Sequence, residues 1–348
     1  MDSPLRRALT ALGNRQSLSE DQTAEVFGVV MSGEATPAQI GGLLMGLRAK
    51  GETADELAGA ARALRQAMVR VNAAHEHLVD TCGTGGGTVS TFNISTVAAF
   101  IASGAGAVVP KHGNRSYTSR CGSADVLEAL GIRIVLDAAN ASRVLKEARV
   151  VFLFAPSFHP AMKHVGPVRR ELGTPTLMNL VGPLANPAGV KRQVIGVAEP
   201  ERAPIVAEAL VRLGAEHALV VHGRVGMDEI SPHGVTDVWE VKDGAVRTWE
   251  IDPERFRLGS KDLGQLQGGE PAANAERFER ILGNGTAAGD SDDAGLAAVL
   301  LNAGAAIYVA GIASSLAEGI GRAREVVASG AARAALDRLR KATASISG

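Results

Sequence analysis

The sequence predicts an α/β protein: a small all-helical domain followed by a large α/β domain with a largely parallel central sheet. Two patterns carry this. Up to about residue 70, apolar residues recur at helical spacing between explicit helix start and stop signals. From about Leu78 onward, short apolar runs alternate with alanine-rich helical stretches, as a parallel sheet with crossover helices requires. A length of 348 residues is enough for one large or two modest domains with a sizeable core.

In the N-terminal region Ser19 with Gln22, Thr36 with Gln39 and Thr53 with Glu56 each fit a capping box. Pro37 stands at a first helical position, Gly33 and Gly51 stand where helices should stop, and Ile40, Leu43, Leu44 and Leu47 form an apolar stripe. Strands are expected at Leu78 to Cys82, Ala107 to Pro110, Val150 to Phe154, Val194 to Val197 and Leu219 to His222. Asp237 to Ile251 reads as a hairpin turning at Lys242-Asp243-Gly244, and Leu258 to Asp293 as long loops around a short helix. The apolar stretch Leu296 to Leu316 contains Asn302, several glycines and mostly alanine. Packed small-residue helices fit it better than a membrane span.

Composition narrows the function. Hydrophobic residues make up 46% and charged residues 21%, and the formal net charge is −1. That balance argues against a nucleic-acid binder working through a general basic field. An anionic ligand must be met by local cations, backbone amides or a metal. Cys82 and Cys121 cannot build a disulfide framework, which points to a reducing, cytoplasmic setting, and the start Met1-Asp2-Ser3-Pro4-Leu5-Arg6-Arg7 lacks a signal peptide's apolar core. The two cysteines are expected to be small buried residues, with oxidation-sensitive activity as the sharper alternative.

Three segments carry candidate chemistry. Asp80-Thr81-Cys82-Gly83-Thr84-Gly85-Gly86-Gly87-Thr88 follows a strand and precedes a helix beginning near Asn93, so its amides could surround phosphate oxygens. It matches neither a dinucleotide fingerprint nor a Walker loop, and by itself it could be a tight turn. Asn93-Ile94-Ser95-Thr96 is expected to offer hydroxyls and free amides at a helix N-terminus. The second segment, Lys111 to Arg120, is expected to follow the next strand as a polar loop, gathering three cations and three aliphatic hydroxyls. Gly122-Ser123-Ala124-Asp125 then opens a helix with Ser123 as its N-cap. Ligand sites in parallel sheets lie at the carboxyl ends of strands, which favours a shared anion site over a merely solvated loop. The third segment is Asp228-Glu229 beyond the strand ending at His222. Alone it reads as surface charge, but beside a polyanion it makes sense around Mg²⁺.

Together these motifs resemble those of the anthranilate phosphoribosyltransferase family. So do Phe158-His159-Pro160-Ala161-Met162, Pro167 to Gly173 and Asn179 to Pro187, all in the same order along nearly the whole chain. The resemblance implies transfer of a phosphoribosyl group from phosphoribosyl pyrophosphate to the amine of anthranilate, in tryptophan biosynthesis. It implies a helical domain of residues 1–70 completed by about 165–190, an α/β domain of 71–164 and 191–348, and a homodimer formed through the helical domains. For phosphoribosyl pyrophosphate it implies Gly83, Gly86, Gly87, Thr91, Asn93, Ile94, Ser95, Thr96, Lys111, His112, Gly113, Asn114, Arg115, Ser116, Tyr117, Thr118, Ser119 and Ser123. It implies Gly83, Asn114 and Arg169 for anthranilate, and Ser95, Asp228 and Glu229 for Mg²⁺. A guanidinium fork at Arg169 suits a carboxylate; without the resemblance it would read as a surface helix residue. His112 and His159 could line the pocket or be structural, and no catalytic base is assigned. One departure stands out: the family commonly has an acidic residue where this chain has Gly87. The rival readings are a pyrimidine nucleoside phosphorylase of the same architecture and a silent, nucleic-acid-binding homologue.

Overall fold

A computed structural model describes residues 3–73, 75–116, 120–283 and 293–346. The chain opens with α1 (Pro4–Gly13), α2 (Glu20–Ser32), α3 (Pro37–Lys50) and α4 (Ala54–Ala67), capped by the side chains of Ser3, Ser19, Thr36 and Thr53. In the last three, Gln22, Gln39 and Glu56 reach back to the cap's own amide, closing each predicted box. Glu56 does more: fully buried, it also accepts the Leu18 N–H at 2.9 Å and pairs with Lys50 at 3.0 Å.

The α/β part follows: β1 (Asp80–Gly83), α5 (Ile94–Gly104), β2 (Val109–Gly113), α6 (Ser123–Ala129), α7 (Ala138–Ala148) and β3 (Val150–Phe154). The short α8 (Ala155–Phe158) then leads to α9 (Met162–Leu172) and α10 (Leu177–Val181), which return to pack on α2, α3 and α4. β4 (Arg192–Gly196), α11 (Ala203–Arg212), β5 (His217–Gly223), β6 (Thr236–Lys242) and β7 (Ala245–Ile251) complete the strands. Helices α12 (Pro271–Leu282), α13 (Asp293–Val309), α14 (Leu316–Ala328) and α15 (Ala331–Ala344) close the chain.

One sheet runs β1-β4-β5-β6-β7, parallel as far as β5 and antiparallel beyond it. β2 and β3 pair separately in parallel, and a Leu78–Val108 bridge joins this pair to the foot of β1. The β6–β7 hairpin turns on Asp243 and Gly244, both at positive φ, the conformation a two-residue type I′ turn requires. Side chains alternate in where they are buried. Val194, Leu219 and Val221 join a core with α5 and α13, whereas Ile195, Ala218 and Val220 join a core that extends into the N-terminal helices. The helical bundle therefore has no separate core: Leu43, Leu57 and Val165 share one apolar cluster with β4, β5 and α11.

The long apolar stretch ends at Val309 and resumes in α14. Gly304 of α13 and Gly319 of α14 meet so closely that a Cβ at Gly319 would lie 2.2 Å from the Gly304 carbonyl oxygen. Among the described residues no helix is long and apolar enough to cross a membrane.

Three local expectations need correction. Lys111, His112 and Gly113 belong to β2 itself, in register with Phe152, Leu153 and Phe154 of β3, rather than to a loop after it. Polar side chains are tolerated there because they find partners, described below. Ser123 is the first residue of α6, not its cap. Gly122 caps the helix, with its N–H donated to the Asp125 carboxylate at 2.8 Å, while the Ser123 hydroxyl donates to the Asn114 carbonyl at 3.2 Å. The region after Leu258 holds a full helix of 12 residues, α12, where a short one was expected.

Candidate active site

The carboxyl ends of β1, β2, β4 and β5 bring the three segments together. β1 ends at Gly83, and the glycine loop that follows binds the loop after β5. The Gly85 N–H donates to Asp228 Oδ2 at 2.9 Å and the Thr88 N–H to the Gly226 carbonyl at 3.0 Å. Gly196, at the end of β4, must be glycine. A Cβ there would lie 1.6 Å from the Asp228 carbonyl oxygen, so only a bare backbone lets the acidic loop approach.

The start of α5 differs from expectation, because its amides are already occupied. The Ile94 N–H donates to the Phe92 carbonyl at 2.7 Å, the Thr96 N–H to the Asn93 carbonyl at 3.1 Å and the Ser95 N–H to Glu229 Oε1 at 3.2 Å. The acceptor at this helix N-terminus is the protein's own Glu229 carboxyl. Ile94 and Thr96 are buried, leaving Ser95 as the residue whose hydroxyl faces the other candidate groups.

Lys111 lies 4% exposed at the centre of this arrangement. Its Nζ donates to the Thr81 carbonyl and lies 3.4 Å from Ser95 Oγ. Burial pushes its pKa down, and the carboxylate of Asp80 works against that. Asp80 is wholly buried and accepts the His112 N–H at 3.2 Å and Asn186 Nδ2 at 2.8 Å.

Asp228 and Glu229 are held protonated more readily than ordinary carboxyls. Burial raises both, and the neighbouring Asp228 helps carry Glu229 to about 8. Two crowded, desolvated carboxyls beside the Ser95 hydroxyl suit a hard dication, which would relieve their repulsion. Among the described residues no three His, Cys, Asp or Glu side chains gather into a closed metal cage. Hydroxyl, water and substrate oxygens would have to complete the coordination, as Mg²⁺ prefers.

His112 Nε2 lies 3.2 Å from His159 Nε2, pinning the approach to α9 against the end of β2. Burial pushes His112 down to about 3 and His159 to about 4, so both rings are neutral. On α9, Arg169 Nη2 donates to Asn179 Oδ1 at 3.3 Å. Asn114 Oδ1 accepts the Arg115 N–H, and Arg115 turns its guanidinium to Asp125 at 2.7 Å and Glu128 at 2.6 Å on α6. Ser116 lies beside Asp125, and Thr91 adjoins Gly268 ahead of α12. Tyr117, Thr118 and Ser119 lie outside the described residues.

Sequence reasoning gave no site role to Asp80, Asn186, Asn274 or Asn302. Asn274 Nδ2 donates to Asn93 Oδ1 at 3.0 Å, and Asn93 Nδ2 donates to the Cys121 carbonyl at 3.1 Å, so Asn93 ties three segments together. Cys121 is pushed up to about 11 and Cys82 is also raised, chiefly by burial in both cases, which keeps the thiols protonated and unreactive. A cavity of about 540 Å³ lined by Arg192, His217, Lys242 and Tyr308 opens at the opposite end of the strands and holds none of these groups.

Comparison with known proteins gives the same picture. Residues 6–68 match the helical bundle domain of a glycosyl transferase family and residues 75–333 its a/b domain. An anthranilate phosphoribosyltransferase of Anaeromyxobacter dehalogenans is 48% identical over 339 residues, covering 97% of this chain and 98% of the relative. The chain belongs to the anthranilate phosphoribosyltransferase family. The crystal structure of the anthranilate phosphoribosyltransferase from Thermus thermophilus matches with a TM-score of 0.90 at 42% identity, over 97% of this chain and 99% of that one. The Saccharomyces cerevisiae anthranilate phosphoribosyltransferase in complex with PRPP and Mg matches with a TM-score of 0.90 at 29% identity, over 98% of each chain.

Proposed function

We infer that this protein is an anthranilate phosphoribosyltransferase, transferring the phosphoribosyl group of phosphoribosyl pyrophosphate to the amine of anthranilate within tryptophan biosynthesis. The observation that carries this is the meeting of Lys111, Ser95, the glycine loop and the Asp228–Glu229 pair at the strand ends of a chain that aligns with a family member over 97% of its residues. The yeast relative is described with PRPP and Mg bound, and another yeast structure with 4-fluoroanthranilate.

In this reading the anthranilate nitrogen forms a bond to the anomeric carbon while the carbon–oxygen bond to pyrophosphate breaks, its electron pair leaving with pyrophosphate. Asp228, Glu229 and Ser95 would hold Mg²⁺, which when bound stabilises charge on the leaving group. Lys111 and those glycine-loop amides not already bonded to the acidic loop or to β4 place positive charge where that leaving group forms. Asn114 and Arg169 bind the anthranilate carboxylate, Arg169 through its planar fork. The amine is neutral and needs no base before attack; once the bond has formed it sheds one proton, to its own carboxylate or to water. The neutral, buried His112 and His159 shape the pocket wall rather than supply charge. We assign the helical domain to residues 1–70 and about 165–190 and the α/β domain to the remainder, a homodimer to the helical domains, and a cytoplasmic location to the enzyme.

The test is loss of anthranilate fluorescence on mixing protein, phosphoribosyl pyrophosphate and Mg²⁺. Consumption is expected to require Mg²⁺ and to fall at least a hundredfold in Arg169→Ala and in Asp228→Ala/Glu229→Ala, on the order of 3 kcal/mol of barrier each. Absence of consumption in the wild-type protein, or phosphorolysis of thymidine without added Mg²⁺, would overturn the reading.

A further inference from the structure

Helix α13 is buried on every side and almost wholly apolar, yet Asn302 stands in its middle at 2% exposure. An unpaired amide there would be costly, and this one is fully paired. Its Oδ1 accepts the Ile230 N–H at 3.0 Å, and its Nδ2 donates to the carbonyls of Ile230 and Ala298, both at 2.9 Å. One side chain thus satisfies both backbone groups of Ile230, as a neighbouring strand would. Ile230 lies in the connection between β5 and β6, directly after Glu229 and two residues after Asp228.

The acidic loop is gripped from other directions too. The Gly85 N–H holds the Asp228 carboxylate, Gly196 admits the Asp228 carbonyl, and the Ser231 N–H donates to Thr236 Oγ1 at 3.0 Å. Those contacts fix the loop before Glu229 and after Ile230. Asn302 fixes the peptide that joins them, from a helix that supplies no other group to the site.

We propose that Asn302 is a positioning residue for the Asp228–Glu229 pair, setting the orientation from which the two carboxylates bind a divalent cation. The proposal rests on reading that pair as the cation's ligands. A residue with this role should alter cation affinity more than folding, because displaced ligand supports commonly cost 10- to 100-fold in metal binding.

Asn302→Asp is the closest test in shape. One carboxyl oxygen can still accept the Ile230 N–H, but the other has at most one proton for two carbonyls. Leu300→Ala serves as a control: it removes buried volume from another face of the same helix, away from Ile230. Mn²⁺ binding in the presence of phosphoribosyl pyrophosphate is followed by the electron paramagnetic resonance signal of free Mn²⁺, alongside Mg²⁺ titrations of activity and thermal melting. Asn302→Asp should weaken Mn²⁺ binding roughly tenfold or more and raise the half-saturating Mg²⁺ concentration similarly. Leu300→Ala should lower the melting temperature with both cation curves unmoved. A folded Asn302→Asp protein with wild-type Mn²⁺ binding, or an equal shift in Leu300→Ala, would overturn the proposal. Asp228→Asn/Glu229→Gln, measured beside them, separates the two levels: unchanged Mn²⁺ binding in that variant would remove the cation reading itself, whatever Asn302 does.

Discussion

At the scale of single residues, Gly87 is where the glycine loop comes up against Asp228. A Cβ at that position would stand 3.1 Å from Asp228 Oδ1 and 3.0 Å from the Gly226 carbonyl oxygen. An acidic side chain there would add a third negative group to two carboxyls that already resist ionisation. Gly87→Asp is therefore expected to tighten Mg²⁺ binding and to lower the metal-free protein's stability by about 1 kcal/mol through like-charge crowding. Melting curves with and without Mg²⁺, together with the Mg²⁺ dependence of activity, check both signs; identical curves would mean the new carboxylate turns away from Asp228. Residues with local signatures could be singled out in advance: Lys111 and the acidic pair sit near strand ends, and Ser95 at a helix N-terminus. The roles of Asp80, Asn274 and Asn302 could not, because the partners that give them those roles lie 32 to 181 positions away in the chain.

At the scale of elements, the starts of α2, α3 and α4 could be read to the residue because a capping box is complete within four positions. The strands were harder. β2 runs on through Lys111 and His112, polar residues that only Thr81, Ser95, Asp80 and His159 make tolerable in a buried strand. The occupied Ser95 amide at the start of α5 was equally hidden, since its carboxylate comes from 134 residues away. The His112–His159 contact, joining the end of β2 to the start of the inserted helices, has a pH consequence. Both rings have folded pKa values below the ordinary histidine value of 6.5, so the unfolded chain takes up protons first. Stability from this pair is complete above pH 6.5 and is lost as pH falls through 4 toward 3. His159→Asn should flatten the stability–pH curve between 6.5 and 4 by on the order of 2 kcal/mol, read from urea unfolding at successive pH values. A slope identical to wild type would show that His159 protonates freely in the folded protein.

At the scale of the whole molecule, the bundle and the sheet are one packed object. The apolar cluster passes from Leu43 and Leu57 through Val206 and Ala207 to Ile195 and Val220 without a break. Arg48 with Glu199 at 3.2 Å, and the buried Arg202 with Glu52 at 3.3 Å, join the same two parts. Helical circular dichroism and the fluorescence of Trp239 and Trp249, on β6 and β7, should therefore report a single coincident urea transition. Two separated transitions, with helix lost first, would show that the bundle is held more weakly than its shared core implies. The general layering of this architecture was legible from the change in periodicity near Leu78. The fusion of the cores was not, because periodicity shows that a face is buried but not what buries it.

That fusion bears on how such a protein can vary by descent. The two family models meet between residues 68 and 75, where an exchange of segments between relatives looks harmless on paper. Physically the seam lies elsewhere, along Ile195, Val197, Val206 and Val220, far downstream in the chain. A hybrid inheriting its first 68 residues from a distant relative would receive half of an interlocking surface and none of its counterpart. The two halves of this lineage are therefore expected to have drifted in step, each constrained by a surface encoded more than a hundred residues away.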